Sequence, residues 1–375
     1  MDKLQILAQS VIQWSALLLL FVAGLGLLII SVIYLIDKTQ TAQTIRRNYP
    51  VVGRFRYAFE HMGEFFRQYF FAMDREELPF NRAERSWVYR AAKKVDTTIS
   101  FGSTRPLDHK GDTIFLNSAF PTLTEDVAEP QPVTVGGGYC DSPYTTKAII
   151  NISGMSFGAI SKPAVQALSN GAREAGIWMN TGEGGLSPYH LEGGCDIVYQ
   201  IGTAKYGVRT PDGKLSDDKL RDIAAHEQVR MFEIKMSQGA KPGKGGILPG
   251  GKVTEEIAGI RGIDIGSDSI SPNGHEDIRS VDDLLDMIHR VRQVTGKPVG
   301  VKMVVGQLDF FDDLFTEIHS RGISHAPDFI TIDSADGGTG AAPQPLMDYM
   351  GMPLQESLPI VVNLLHSYGL RERIK

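Results

Sequence analysis

The chain has 375 residues, 42% hydrophobic and 22% charged, a balance that excludes a disordered polypeptide and leaves enough apolar material for a large core. Its formal net charge of −6 conceals an asymmetry: residues 38–110 carry an excess of Lys and Arg, so the remainder is distinctly acidic, which argues against nucleic-acid binding by the main body. The two cysteines, Cys140 and Cys195, supply neither a disulfide framework nor metal-ligand spacing and fit a reducing compartment.

Residues 16–36, ALLLLFVAGLGLLIISVIYLI, carry no charge. At about 1.5 Å per residue such a run is long enough to cross a bilayer core of about 30 Å. It reads as one membrane-spanning helix with Trp14 and Tyr34 near its ends, where amphipathic aromatics favour the interface. A signal peptide is the competing reading, disfavoured because the run exceeds a usual signal core and no small-x-small cleavage site follows. Lys38, Arg46, Arg47, Arg54 and Arg56 come next with no acidic residue among them, whereas on the other flank Lys3 is balanced by Asp2. The positive-inside rule then places the body on the cytoplasmic side of the inner (cytoplasmic) membrane, as a single-pass protein.

Three parts follow: an anchor over residues 1–37, a basic aromatic connecting segment over 38–130, and a main body over 131–375. In the connecting segment Phe59, Met62, Phe65, Phe66, Tyr69 and Phe70 recur at helical spacing, which predicts one or two amphipathic helices. Packing is the plain explanation of their apolar faces, and docking on a membrane surface or a partner is the alternative. The stretch PTLTEDVAEPQPVTVGGGYC reads as an extended connection. From Lys147 onward short apolar runs alternate with amphipathic helices, the βα signature of a parallel sheet. Six strands are expected, at AIINIS, IWMNTG, IVYQIG, MFEIKM, PVGVKMVV and FITID, with helices at AVQALSNGAREAG, DDLLDMIHRVRQVTG and DLFTEIHSRG and a last helix, LPIVVNLLHSYGLRERIK, closing the chain. A doubly wound sheet also fits this alternation, but polar, glycine-rich motifs follow most strands, as on the catalytic face of a barrel.

The richest of these motifs is MFEIKMSQGAKPGKGGILPGG at 231–251, where an apolar strand delivers Lys235, Gln238, Lys241 and Lys244 into a loop of many glycines. Glycines bring bare amides close to a ligand, and ammonium and amide side chains hold anionic oxygens, so this is a candidate anion site. Taken in order with ISGMSFGAIS (152–161), NTGEGG (180–185), SPNGHEDIRSVDDL (271–284) and SADGGTGAAP (334–343), it resembles the flavin-binding synthase domain of glutamate synthase, from about Ile149 onward. The resemblance implies a (β/α)8 TIM-type barrel that binds FMN. Only about six βα units are visible, and the family's final strands, phosphate loop and iron–sulfur cysteine cluster are not, so an incomplete, C-terminally truncated barrel is expected.

By the same resemblance Met155, Ser156 and Gly158 lie against the flavin, together with Lys302 at its pyrimidine side and the loop of Ser334, Asp336, Gly337, Gly338 and Thr339. Glu183 stands at the substrate end, and Gln238, Lys241 and Arg261 hold 2-oxoglutarate or a related dicarboxylate. Physically, Arg offers a two-pronged fork to a carboxylate, Lys a point charge, and a lone cation such as Lys302 inside an apolar strand must meet something anionic. The implied reaction is reductive amination of 2-oxoglutarate through 2-iminoglutarate, with ammonia or another amine donor and an unspecified electron donor. Met1 and Asp2 stand where the family carries a catalytic cysteine, so no glutaminase activity is expected. His275 reads as a solvated loop histidine and the cysteines as structural, with no metal site expected. Two other readings remain at this stage: a non-catalytic barrel acting as a membrane interaction protein, and a different flavin-barrel oxidoreductase coupled to membrane quinones.

Overall fold

A computed structural model describes residues 2–96, 98–108 and 114–375 and divides into two compact units, Met1–Ile114 and Phe115–Lys375. In the first unit the uncharged run lies within one unbroken helix, α1 (Asp2–Thr39), whose stretch Leu7–Thr39 is long and apolar enough to cross a bilayer. At its end Asp37 is fully buried. It accepts hydrogen bonds from Arg46 Nη2 at 2.6 Å, Arg54 Nη2 at 2.8 Å and the Val51 amide at 3.0 Å, which ties α2 (Thr44–Asn48) and the start of α3 (Gly53–Phe66) to the end of α1. Helix α3 runs into a π-helical turn, Arg67–Phe71, and α4 (Arg82–Ala92) opens on a capping box between Asn81 and Glu84. The aromatic stripe expected from the spacing is helical, and its side chains are exposed.

The second unit begins with a hairpin, β1 (Val133–Val135) and β2 (Tyr144–Thr146). In chain order there follow α5 (Lys162–Ala175), β3 (Met179–Asn180), α6 (Pro188–Glu192), β4 (Ile197–Ile201), α7 (Asp217–Ala224), β5 (Val229–Lys235), β6 (Ile247–Leu248), α8 (Glu255–Arg261), β7 (Ser269–Ile270), α9 (Val281–Thr295), β8 (Val299–Val304), α10 (Asp309–Arg321), β9 (Ile330–Asp333), α11 (Gln344–Tyr349) and α12 (Leu354–Ser367). Strands β6 and β7 pair antiparallel in a small sheet of their own. The main sheet is parallel with the order β3-β4-β5-β8-β9, every strand beside its predecessor. A doubly wound sheet reverses direction at a switch point; this one winds a single way, as barrels do.

The sheet is also curled. Strands β3 and β9 each stand two places from β5, about 10 Å away in a flat sheet. Yet Asn180 on β3 and Thr331 on β9 both hydrogen-bond the carboxylate of Glu233 on β5, at 2.8 and 2.6 Å. Two expectations need correction. AIINIS is not a strand: only Ile152 pairs, in an isolated parallel bridge to Met179, while Ile149 and Ile150 are exposed. The last helix stops at Ser367, because Gly369 turns the chain at φ 65°. Among the described residues the sheet is therefore an open half-barrel, not a closed one.

Alternation gives its two faces different chemistry. Phe232, Ile234, Val301 and Met303 face outward into a core with Leu284, Leu285 and Ile288 of α9 and Phe311, Leu314 and Phe315 of α10. The concave face is layered. Val198 and Met231 pack with Val135 and Tyr144 of the hairpin near the strand starts, Glu233 lies in the middle, and Lys235 and Lys302, paired in register, stand at the strand ends. At the base Asp328 is fully buried and binds both Arg292 at 3.0 Å and Arg373 at 2.8 Å, while the Lys375 amide donates to the Asp328 carbonyl. Asp328→Ala leaves two buried guanidiniums without their carboxylate, so the unit should lose about 3–5 kcal/mol in denaturant unfolding. An unchanged midpoint would show that this triad does not hold the closing segment.

Candidate functional site at the strand ends

Glu233 anchors the floor of the site. Only 2% exposed, it accepts from Asn180 Nδ2 at 2.8 Å, Gln200 Nε2 at 2.6 Å and Thr331 Oγ1 at 2.6 Å. A buried carboxylate needs such donors, and here they come from three other strands, β3, β4 and β9. The sequence reading passed over Glu233, although a lone acid in MFEIKM is the same kind of signal as the lone lysine in VGVKMVV.

One turn above, Lys235 Nζ meets Glu183 Oε1 at 2.9 Å and Gln238 Oε1 at 3.0 Å. Glu183, Thr203, Lys235, Gln238, Lys241, Lys244 and Asn273 line a common pocket, which encloses about 20 Å³. Three ammonium groups thus surround one carboxylate. Lys241 is buried, and among the described residues its ammonium donates only to the Ala341 carbonyl, at 3.2 Å; burial lowers its pKa from the ordinary lysine value, reinforced by Lys235 and Lys244 and opposed by Glu183. Gln238 likewise donates to the Gly338 carbonyl at 3.1 Å. Glycine is required where these loops meet. A Cβ on Gly239 would stand 1.6 Å from the Ser334 carbonyl oxygen, and one on Gly182, at φ 65°, would stand 2.6 Å from the Ser156 nitrogen.

Three of the four expected substrate residues, Glu183, Gln238 and Lys241, are therefore together; Arg261 stands behind them. It donates to Ser269 Oγ at 2.8 Å and to the Phe157 carbonyl at 3.3 Å, and its Nε has no partner among the described residues. Burial lowers its pKa, with Tyr206 and Glu183 opposing. Of the expected flavin residues, Met155 and Ser156 pack against Gly182, and Gly158 approaches Arg261. Lys302 stands 3.7 Å from Asp333 of the neighbouring strand, an ion pair too long for a hydrogen bond. Ser334 accepts the Gly337 amide at 2.9 Å, Asp336 faces the Leu354 amide at 3.4 Å, Gly338 receives Gln238, and Thr339 faces the Ala341 carbonyl at 3.5 Å. Neither Met155 nor Lys302 lines the pocket that holds Glu183 and Gln238.

His275 is not the solvated residue its loop suggested: it is 2% exposed, with Nε2 3.0 Å from the Lys235 carbonyl oxygen. Its neighbour Lys205, also buried and held at φ 53°, pairs with Asp277 at 2.9 Å. Nothing in a single sequence marks these as buried, because both lie in loops whose packing depends on the whole sheet.

Fold and site define an α/β protein with a singly wound, parallel half-barrel whose strand ends carry a glycine-bounded, cation-rich pocket. The family described as the conserved region in glutamate synthase matches residues 107–375, and the chain belongs to it. A glutamate synthase large subunit-like protein, YerD, from Bacillus subtilis (strain 168) is 39% identical over 92% of this chain and 72% of its own length. An archaeal-type glutamate synthase (NADPH) from Thermotoga sp. (strain RQ2) is 37% identical over 59% of this chain and 40% of its own length. A large subunit-like protein from Rhizobium meliloti (strain 1021) is 30% identical over 73% of this chain and 59% of its own. The chain thus spans well under the full length of each.

A second buried histidine gives the site a pH signature. His190 Nδ1 accepts from Ser187 in the capping box of α6, just after the GEGG loop, and burial pushes its pKa down to about 4. The unfolded chain takes up this proton near pH 6.5 and the folded one does not, so stability falls as pH drops from there toward the folded value, by about 3 kcal/mol in all. Urea unfolding between pH 7.5 and 4.5 should show a shallower loss for His190→Asn; parallel curves would contradict the assignment.

Proposed function

We propose that this chain is a membrane-anchored, FMN-dependent oxidoreductase that reductively aminates 2-oxoglutarate, or a related dicarboxylate, through the imine formed with ammonia or another amine donor. The observation that carries the reading is the excess of cation at the strand ends: Lys235, Lys241 and Lys244 around Glu183, with Arg261 buried behind and bound to no carboxylate among the described residues. Such an array favours a ligand with anionic ends. The family assignment and the relatives' names support the oxidoreductase class. In this reading 1–37 is the anchor, 38–130 the connecting segment and 131–375 the catalytic body, facing the cytoplasm.

The donor set fits FMN in its chemistry. Met155, Ser156, Gly158, Lys302 and the loop from Ser334 through Asp336, Gly337, Gly338 and Thr339 are the residues that would hold it, with the Lys302 ammonium free of any short hydrogen bond to Asp333. When bound, the flavin supplies hydride to the substrate carbon. The present cavity of about 20 Å³ admits roughly one water, so ligands enter only when the loops 236–246 and 334–341 part. Gln238 and Lys241 join those loops through the Gly338 and Ala341 carbonyls, and a dicarboxylate would take over both donors. Glu183, held by Lys235, is the group placed to accept or return a proton at the amine. An iron–sulfur cluster does not fit the residues present, since two cysteines cannot supply its four thiolates.

The closed pocket favours a second reading, a non-catalytic half-barrel kept as a membrane interaction protein. Absorbance separates the two. Full-length protein loaded with FMN and reduced without oxygen should reoxidise only when 2-oxoglutarate and ammonium are both added; no reoxidation would overturn the proposal. Lys241→Ala should keep its flavin and bind dicarboxylate about 10- to 100-fold more weakly, the worth of a charged hydrogen bond; loss of flavin would show the lysine misassigned. The anchor predicts that the protein stays with membranes through alkaline carbonate washing, and its release would contradict the span.

A further inference from the structure

His275 lies beside the pocket without lining it. It stands in the loop after β7, 2% exposed, with Nε2 3.0 Å from the Lys235 carbonyl. A carbonyl only accepts, so the ring must carry its proton on Nε2. Nδ1 is then a bare acceptor, buried and without a partner among the described residues. The charged groups acting on the ring are Lys205 from the loop after β4, Asp277 from its own loop and Glu183 from the loop after β3, while Lys235 at the end of β5 meets it through its backbone carbonyl. Burial above all, with Lys205, disfavours a charged ring, while the hydrogen bond to the Lys235 carbonyl, Asp277 and Glu183 oppose them.

Lys235 is where this matters. Its carbonyl belongs to the last residue of β5, its side chain holds Glu183 and Gln238, and the next amide, Met236, donates to the Lys302 carbonyl at 2.8 Å. One side of the strand end is thus secured by β8, the other by His275. We infer that His275 is a positioning residue of the anion site: donating Nε2–H to the Lys235 carbonyl, it fixes the turn from β5 into 236–246 and so sets where the Lys235 ammonium meets Glu183 and Gln238. Only the readout with dicarboxylate rests on the function proposed above.

Three measurements on the full-length protein in detergent test it. Nitrogen-15 spectra of the imidazoles at about pH 8, where an ordinary histidine is neutral, with His275 assigned by its loss in His275→Gln, should show its ring proton on Nε2. An Nδ1–H tautomer overturns the inference. Hydrogen exchange of the amides over 236–246 should quicken about tenfold or more in His275→Leu and return toward the unsubstituted rate in His275→Gln, whose amide can donate to the same carbonyl. Equal exchange in the Leu variant overturns it; if that variant fails to fold, the tautomer and the Gln variant decide. Affinity for 2-oxoglutarate should fall at least about tenfold in the Leu variant and stay within about threefold in the Gln variant, as expected of a lost hydrogen bond and a kept one. Failure of the unsubstituted protein to bind 2-oxoglutarate counts against the dicarboxylate reading alone, since the tautomer and the exchange rates do not depend on it.

Discussion

A single buried carboxylate sets the shape of this molecule's working half. Glu233 stands at the middle of the parallel sheet and takes hydrogen bonds from Asn180 near one edge, Gln200 on the adjacent strand and Thr331 at the other edge. Short polar side chains cannot reach a common point from strands so far apart unless the sheet bends toward them. Burying a carboxylate is costly unless its oxygens are satisfied, so the acid and the curvature require each other. The apolar outer face, packed under α9 and α10, supplies the cohesion, and the polar inner layer fixes the curl.

From that curl the site follows. Strands that splay would carry Glu183, Lys235, Lys302 and Asp333 apart; strands that converge bring their cations into mutual repulsion, relieved only partly by the two acids. The residual positive charge is the driving force for an anionic ligand, and the closed loops are its counterweight. Gln238 and Lys241 already hold backbone carbonyls of the facing loop, so a ligand gains only the difference between its own oxygens and those carbonyls. Charged acceptors exceed neutral ones by enough to favour the exchange. The buried histidines and the Lys205–Asp277 pair hold the roots of the neighbouring loops through His275 to the Lys235 carbonyl, Ser187 to His190 and Lys205 to Asp277.

Much of this was readable from residue order. The βα alternation gave the parallel sheet and five of its strands, because apolar runs between amphipathic helices have few other solutions. The glycine and lysine motif at 231–251 pointed to the loop whose Lys235, Gln238, Lys241 and Lys244 line one pocket, because glycine and clustered cations carry their chemistry in their identity. What escaped depends on three-dimensional closure. AIINIS has strand composition but is left with one pairing residue, Ile152, so it stays a bridge. His275 has loop neighbours in sequence and a strand carbonyl in space. Glu233 looked like one polar residue in an apolar strand, and only the inward turn of Asn180 and Thr331 reveals why it is there. In the first unit the uncharged run announced the long helix, whereas the burial of Asp37 between Arg46 and Arg54 needed the fold of the following turn.

The central claim is that the Glu233 layer, and not the pocket lining alone, makes the anion site. Its most direct test is the calorimetric affinity of full-length protein for 2-oxoglutarate before and after Glu233→Leu, a change that touches no pocket-lining residue and fills a similar volume. Binding by the unsubstituted protein, weakened more than about tenfold in the variant with helical content preserved, is the predicted result. Equal affinity in the two proteins would contradict the account, because the cations would then be gathered without the layer beneath them.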